Sequence, residues 1–271
     1  MDELFGPEQA ARWIAVPRVD DDKYARGVVG FVTGSSLYPG AAVLGVEAAM
    51  HAGVGMIRYL GPGRPTRLVL QRRPEVVTVG GRVQAWVLGS GQDAEQRDDR
   101  TSALLDAALA QEVPVVLDAG ALELHARARG PVLVTPHAGE LARTMGRPVD
   151  DIRADPAGAA RDAAARLRAT VLLKGHTTHV ATPDGGVLRV RSAPSWLATA
   201  GAGDALAGIL GALLATHAAR IADDPAVIAP LAATGAVLHG LAAERASGGG
   251  PLTILDLAAA LPLVIAGLLA A

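Results

Sequence analysis

The segment WLATAGAGDALAG, residues 196–208, runs from a turn that contains proline and serine into a helix. Two of its glycines stand at the turn, and apolar residues recur beyond it at helical spacing. We predict that the helix begins near Gly203 and that it buries one face, which carries Leu206, Ile209, Leu210, Leu213 and Leu214. What this turn and helix do depends on the elements that surround them.

The start of the predicted helix has the features of an anion-binding site. Gly201 and Gly203 allow a ligand to approach the backbone closely, and the first turn presents free N–H groups at the positive end of the helix dipole. Gly201, Ala202 and Gly203 are therefore the candidate anion hole. Asp204 follows them, where a carboxylate can take a proton from a hydroxyl that attacks a phosphoryl group. The alternative is that Asp204 is only a helix cap or a first-turn acid.

The composition limits the class of protein. The 271 residues are half apolar, carry a net charge of −2 and contain no cysteine. We expect a single domain over residues 1–271, without disulfides, thiolate catalysis or cysteine-bound metals. The small net charge favours neither nucleic acid nor an anionic membrane as a partner. No signal peptide is evident. The apolar stretch Leu257–Ala271 is shorter than the ~20 residues of a bilayer span, and Pro262 interrupts it. We therefore expect a cytoplasmic protein.

Short apolar segments predict a parallel sheet. The first elements are a strand, a glycine-rich loop, a helix and a strand, at Val28–Thr33, Gly34–Gly40, Ala41–His51 and Val54–Leu60. This order is a βαβ unit, in which the two strands run parallel. Further strands are predicted at Ala85–Gly89, Pro114–Asp118, Pro131–Thr135 and Thr170–Lys174, a hairpin at His179–Thr182 and Gly186–Arg191, and helices at residues 94–111, Ala154–Leu167, Pro225–Arg245 and Thr253–Ala271. The sequence therefore predicts an α/β protein with a mainly parallel sheet.

Polar residues follow the predicted strands at the points where those strands end. They are Asp118, His137, Glu140 and Lys174. Taken singly, these residues are explained as a helix cap, a solvated loop residue, a first-turn acid and a surface charge, respectively. Taken together, they meet at the carboxyl edge of a parallel sheet, where ligand sites form. Lys174 then provides a cation, and Asp118 and Glu140 provide carboxylates for Mg²⁺, directly or through water. With Asp204, these are the parts of a site for phosphoryl transfer.

Five motifs connect these residues to a known family. They are DKYARG (22–27), GSSLYPGAA (34–42), TPHAGE (135–140), KGHTT (174–178) and LATAGAGD (197–204). In this combination the chain resembles the ADP- or ATP-dependent NAD(P)H-hydrate dehydratases over nearly its whole length. The resemblance implies a ribokinase-like fold with three layers, αβα. It also implies dehydration of the S epimer of NAD(P)H hydrate to NAD(P)H, by phosphoryl transfer from ADP or ATP to the ring hydroxyl and loss of phosphate.

The resemblance also implies roles for individual residues. Asp204 is the expected catalytic base, and the N–H groups from Ala202 to Asp204 hold the transferring phosphoryl group. The expected nucleotide site consists of Lys174, Gly175, His176, Thr177, Thr178 and Gly203. The expected hydrate site consists of Ala41, Gly91, Asp93, His137 and Asp204.

Some positions depart from the family pattern. Residues 89–93 read GSGQD where the family usually has Gly-Pro-Gly-Leu-Gly, so that Asp93 replaces the last glycine. Ala200 and Ala202 stand where glycine and threonine are common. Residues 1–21 leave no room for the epimerase domain that many members carry, so we expect either a separate epimerase as the functional partner or a fragment of a longer protein. The family also implies a homotetramer.

Two other functions remain open. A small-molecule hydroxyl kinase of the same fold would share Asp204 and the anion hole, but it would not need the TPHAGE and YPGA motifs. A nucleotide-binding module that has lost catalysis is a second alternative, and the intact Asp204 argues against it.

Overall fold

In a computed structural model, which describes residues 2–191 and 193–270, the strands form one sheet. They are β1 (Asp2–Leu4), β2 (Val28–Val32), β3 (Met56–Tyr59), β4 (Ala85–Leu88), β5 (Val115–Leu117), β6 (Val132–Val134), β7 (Thr170–Leu173), β8 (Thr178–Ala181) and β9 (Val187–Val190). Their order is β1-β9-β8-β7-β6-β5-β4-β2-β3, and among these strands β8 alone runs antiparallel to its neighbours. The predicted α/β class, mainly parallel sheet and hairpin are confirmed.

Helices cover both faces of the sheet, because the strands are buried on both sides and successive residues point to opposite faces. The helices are α1 (Pro7–Ala11), α2 (Gly40–His51), α3 (Gly63–Arg72), α4 (Asp99–Leu109), α5 (Ala138–Met145), α6 (Val149–Ala154), α7 (Pro156–Leu167), α8 (Ala202–Thr216), α9 (Ala218–Asp223), α10 (Ile228–Ser247) and α11 (Ile254–Ala270). In β4, Ala85 and Val87 belong to the core that contains α2, α8, α10 and α11. Trp86 and Leu88 belong to the core that contains α4 to α7. The molecule therefore has the three expected αβα layers.

Helix α8 lies in the middle of one layer. The prediction that it buries one face is wrong, since every residue from Ala205 to Ala215 is buried. The helix packs on β2, β4 and β5 and also contacts α2 and α10. Its approach to α2 is close, because a Cβ atom on Gly208 would overlap the carbonyl group of Gly45. A helix enclosed in this way is apolar on all sides.

Several short elements were not predicted. β1 has three residues and pairs in parallel with β9, in a polar region for which we predict only a short helix and an arm. The short helix is α1. Helices α3, α5, α6 and α9 are missing from the prediction because they are short and their segments contain glycine, proline or charged residues. The predicted final helix corresponds to α11, and Ala271 lies outside the described residues.

The stretch Pro225–Ser247, which contains α10, is long and apolar enough to cross a membrane by length and composition alone. In this fold 83% of its most apolar window is buried. It packs against α1, α8 and α11, so its apolar character matches that of a core helix.

Candidate active site

Asp118 lies directly after β5, and its carboxylate is the centre of a buried cluster. Its Oδ1 accepts hydrogen bonds from Thr135 Oγ1 and Lys174 Nζ, each at 2.8 Å, and its Oδ2 accepts one from Ser90 Oγ at 2.9 Å. The residue is only 3% exposed. It makes no capping bond to the 3₁₀ helix that follows. The helix-cap explanation is therefore wrong for Asp118.

Lys174 joins this cluster from the end of β7. Its Nζ lies 2.8 Å from Asp118 Oδ1 and 3.8 Å from Glu140 Oε2. Burial lowers the pKa of Lys174, but the charges of Asp118 and Glu140 outweigh this effect and hold the pKa above its ordinary value of 10.5. Lys174 is thus a charged, enclosed ammonium group, and the surface-charge explanation is wrong.

His137 and Glu140 form the N-terminal cap of α5. Glu140 Oε2 accepts a hydrogen bond from His137 N at 2.8 Å, and His137 Nδ1 accepts from Gly139 N at 3.0 Å and Glu140 N at 3.3 Å. These bonds are the two halves of a capping box. Because Nδ1 is an acceptor, the hydrogen bonds assign the proton of a neutral His137 to Nε2. Glu140 is therefore a first-turn acid, as the ordinary explanation requires, and it also faces Lys174.

Helix α8 begins next to Lys174. Gly201 is its N-cap, with φ at +93°, and a Cβ atom there would overlap the side chain of Leu44. A side chain is therefore excluded at Gly201 by both conformation and space. Lys174 Nζ lies 3.4 Å from the point that a Cβ on Gly203 would occupy. The ammonium group and the free N–H groups of the first turn are close together, an arrangement that suits an anion.

Asp204 lies in the first turn of α8, yet its pKa is not that of an ordinary first-turn acid. A helix N-terminus favours the ionised carboxylate. Burial nevertheless raises the pKa of Asp204 to about 7; the negative charge of Asp118 adds to the rise, and Lys174 opposes it. A carboxyl group that titrates near neutral pH is suited to proton transfer.

Two cavities lie at this edge of the sheet. The first has a volume of about 770 Å³ and is lined by Lys174, Gly175, His176, Thr178, Ala202 and Gly203, among others. The second has a volume of about 560 Å³, and its lining includes Tyr38, Asp93, Glu140 and Arg143. His137 lines the first cavity and Glu140 the second. Since these two residues are in contact, their pair stands between the cavities.

The structure brings most of the predicted nucleotide residues together around the first cavity. The predicted hydrate residues do not share one cavity. Thr177 is the one residue of 174–178 that does not line the first cavity in the described part of the chain. Ala41 and Gly91 contact each other, because a Cβ on Gly91 would overlap that of Ala41. Asp93 lines the second cavity, but its carboxylate also accepts a bond from Glu95 N at 3.0 Å and so caps the short helix that follows. His137 lies on the nucleotide side.

The predicted metal ligands do not fit direct binding of Mg²⁺. Both oxygens of Asp118 are already bonded, and Glu140 Oε2 accepts from His137 N and faces Lys174. Over residues 2–191 and 193–270, no group of three or more His, Asp and Glu side chains could hold a metal ion. The contacts of Asp118 and Glu140 are compatible with the other part of the prediction, in which the two carboxylates act on Mg²⁺ through water.

Three residues of the site have roles that the sequence did not suggest. Ser90 and Thr135 hold the carboxylate of Asp118, and both are buried. His239, on α10, lines the first cavity. The available signals are hydroxyl residues at the ends of predicted strands and a single histidine within an apolar helix.

Comparison with known proteins agrees with this geometry. Residues 29–258 match the family model described as NAD(P)H-hydrate dehydratase. A bifunctional NAD(P)H-hydrate repair enzyme of Mycobacterium tuberculosis is 47% identical over 219 residues, which are 76% of this chain and 44% of that protein. An ADP-dependent (S)-NAD(P)H-hydrate dehydratase of Neisseria meningitidis is 36% identical over 243 residues, which are 83% of this chain and 79% of that protein. The chain thus spans less than half the length of the mycobacterial relative.

The fold is also similar to a crystal structure of the ADP/ATP-dependent NAD(P)H-hydrate dehydratase from Bacillus subtilis, co-crystallised with ATP and Mg²⁺. The TM-score is 0.86 at 26% sequence identity, over 98% of this chain and 99% of the other. The expected ribokinase-like fold is therefore confirmed.

Proposed function

The chain belongs to the NAD(P)H-hydrate dehydratase family, and from this we propose that it converts the S hydrate of NADH or NADPH back to the dinucleotide, with ADP or ATP as phosphoryl donor. The observation that carries the proposal is the position of Asp204. It is a half-buried carboxyl with a pKa of about 7, directly after the glycine-rich start of α8 and near the ammonium group of Lys174. A base, a cation and free N–H groups in one place are what phosphoryl transfer to a hydroxyl requires.

In this proposal the nucleotide occupies the first cavity. Its transferring phosphoryl group lies at the N–H groups after Gly201, where the helix dipole and Lys174 both attract negative charge. Asp118 and Glu140 keep Lys174 charged and fix its position, since each carboxylate lies within 4 Å of Nζ. These two acids are therefore positioning residues for Lys174.

The hydrate occupies the second cavity and reaches Asp204 with its ring hydroxyl. Asp204 accepts the hydroxyl proton while the oxygen bonds to the terminal phosphorus of the nucleotide, and the bond from that phosphorus to the bridging oxygen breaks. The ring nitrogen then donates its electron pair, the carbon–oxygen bond breaks and inorganic phosphate leaves. Loss of a proton from the adjacent ring carbon restores the double bond. The phosphoryl group is needed because phosphate is a good leaving group and hydroxide is a poor one.

Four further parts of the proposal concern the surroundings of the enzyme. Mg²⁺ would arrive with the nucleotide phosphates, as it usually does where few protein ligands converge, and no step is assigned to it. A hydrate epimerase is the expected functional partner, because the mycobacterial relative is bifunctional. Cytoplasmic location and a homotetramer stay predictions, which cell fractionation and light scattering would check.

The decisive experiment follows absorbance at 340 nm while the protein acts on the S hydrate of NADH with Mg²⁺ and either ADP or ATP. We expect nucleotide-dependent recovery of absorbance, and the faster donor identifies the nucleotide used. Asp204→Asn is the matched control, with nucleotide binding kept and recovery abolished. If neither nucleotide supports recovery although one of them binds, the dehydratase proposal is wrong and a small-molecule hydroxyl kinase becomes the better explanation.

A further inference from the structure

The lining of the second cavity includes four carboxylates and one cation. Among the described residues that line it, the acids are Asp93, Glu95, Glu123 and Glu140, and the cation is Arg143. Arg143 lies on α5, three residues after Glu140, so the two residues share one face of that helix. The backbone of Arg143 is therefore about 4.5 Å farther along the axis of α5 than that of Glu140.

Three of the four acids already have partners. Asp93 caps the short helix that follows it. Glu123 forms an ion pair with Arg97, with 3.1 Å between Oε1 and Nη2. Glu140 faces Lys174. The charges of Glu123 and Glu140 are thus matched by cations that belong to the protein itself.

Arg143 differs from these acids because its charge is unmatched. The residue is exposed, and its guanidinium group forms no hydrogen bond or ion pair with any residue that the structure describes. The last turn of a helix favours a cation, which is a sufficient explanation for Arg153 in the last turn of α6. Arg153 pairs with Asp150 at 3.3 Å and is not part of the described lining of either cavity. The helix dipole does not explain why Arg143 stays unpaired beside an acidic cavity.

The substrate of the proposed function brings negative charges into this cavity. Its hydrated ring is uncharged, and its charges are those of the pyrophosphate, with a 2′-phosphate added in the NADPH form. Carboxylates repel a phosphate group, whereas an unpaired guanidinium attracts it. A guanidinium can also donate two parallel N–H···O bonds to one phosphate. Arg143 is therefore the favourable position for a phosphate in this cavity.

We propose that Arg143 binds a phosphate group of the dinucleotide substrate. The inference rests on the proposed function, which puts the hydrate in the second cavity. It adds a substrate-binding residue to the predicted hydrate site, in which no residue has a permanent positive charge.

Calorimetric titration with NADH and NADPH tests the contact without turnover, and saturating ADP in the cell fills the first cavity. We expect Arg143→Gln to weaken binding about tenfold, as for the loss of a hydrogen-bonded charge. Loss for both dinucleotides identifies the pyrophosphate, and loss for NADPH alone identifies the 2′-phosphate. Arg143→Lys keeps the charge and should lose less affinity than Arg143→Gln. In turnover of the matching hydrate, Arg143→Gln should raise KM about tenfold and leave kcat unchanged, because the phosphate does not change during the reaction.

Arg153→Gln is the matched control, since it removes an exposed arginine from the last turn of the next helix. This variant should bind both dinucleotides as the wild type does, and thermal unfolding verifies that every variant is folded. Three results overturn the inference: unchanged affinity in Arg143→Gln, equal losses in the Gln and Lys variants, and a wild type that binds neither dinucleotide.

The proposed function is tested separately by recovery of absorbance at 340 nm with the hydrate. Recovery in the wild type together with any of these three results leaves the proposed function standing without the Arg143 contact. Absence of recovery, combined with dinucleotide binding that depends on Arg143, overturns the proposed function and leaves the phosphate contact in place.

Discussion

Replacement of Asp204 by asparagine changes stability in a direction that depends on pH. Because burial raises the pKa of Asp204 from 3.8 to about 7, the folded protein holds this proton more tightly than the unfolded chain does. The resulting stabilisation is complete below pH 3.8 and is lost as the pH rises through about 7. At pH 8 the ionised carboxylate therefore destabilises the fold. The two pKa values correspond to at most about 4 kcal/mol, which partial exposure reduces to about 1–3 kcal/mol.

Asparagine has nearly the same shape and carries no charge, so Asp204→Asn should remove this penalty. We expect the free energy of unfolding in urea to exceed that of the wild type by about 1–3 kcal/mol at pH 8, with a smaller difference at pH 5. The variant should also lose turnover, because an amide cannot accept the hydroxyl proton. In the wild type, kcat/KM should rise with pH and level off above about 7, since the base must be ionised.

The exposed acid Asp99, in the first turn of α4, provides the matched control. Asp99→Asn should change stability by less than about 0.5 kcal/mol, as surface substitutions usually do, and by the same amount at both pH values. If Asp204→Asn is no more stable than the wild type at pH 8, the carboxyl is not destabilised by burial. Normal turnover in this variant would remove Asp204 from the mechanism.

The remaining predictions concern packing, charge and the wall of the first cavity. Gly208→Ala places a methyl group against the backbone of α2 and should lower the free energy of unfolding by about 3 kcal/mol. In Gly267→Ala the methyl group meets open space on α11, so this change should raise the free energy of unfolding by up to about 1 kcal/mol. Urea unfolding compares the two variants. Lys174→Met leaves Asp118 without its cation, and we expect a loss of about 3 kcal/mol in stability at pH 7 together with loss of ADP binding in calorimetry. Trp196 is 50% exposed and its chain neighbours line the first cavity, so ADP should change the tryptophan emission of the wild type and leave that of Trp196→Phe unchanged.

Each of these predictions has a clear contrary result. Equal effects of the two glycine substitutions would mean that α2 and α8 can separate at little cost. Unchanged ADP affinity in Lys174→Met would place the phosphates elsewhere. An ADP response that persists in Trp196→Phe would come from the other two tryptophans and would disconnect residues 193–199 from the nucleotide.

The parts of the fold that were predictable are those with strong local signals. Strands such as Val115–Leu117 are apolar on both faces, because both faces are covered by helices, and parallel topology then brings the strand ends together. This reasoning predicts that Asp118 and Lys174 lie close together although they are 56 residues apart in sequence, and the two side chains form a hydrogen bond. The three-residue β1 escaped prediction because its pairing with β9 is not encoded in any local pattern.

The chemistry of the site was less accessible, because it depends on the distances and burial of side chains. The sequence shows that Asp204 follows two glycines, but the rise of its pKa to about 7 results from burial and from Asp118. Hydrogen bonds from Ser90, Thr135 and Lys174 engage both oxygens of Asp118, which the sequence suggested as a metal ligand. His239 has no neighbouring motif, and only the fold shows that it lines the first cavity.

The glycine contact between α2 and α8 also determines which parts of the site can move. Gly45 lies five residues from the start of α2, and Gly208 lies six residues from the start of α8. The distance along each helix from this contact to the helix start is therefore only about 8–9 Å. A rocking motion of about 5° would displace Ala41 or Asp204 by less than about 1 Å. The starts of α2 and α8 therefore stay nearly fixed relative to each other. We therefore expect the larger movements that admit and release a nucleotide to come from residues 193–199, most of which line the first cavity and which belong to neither helix.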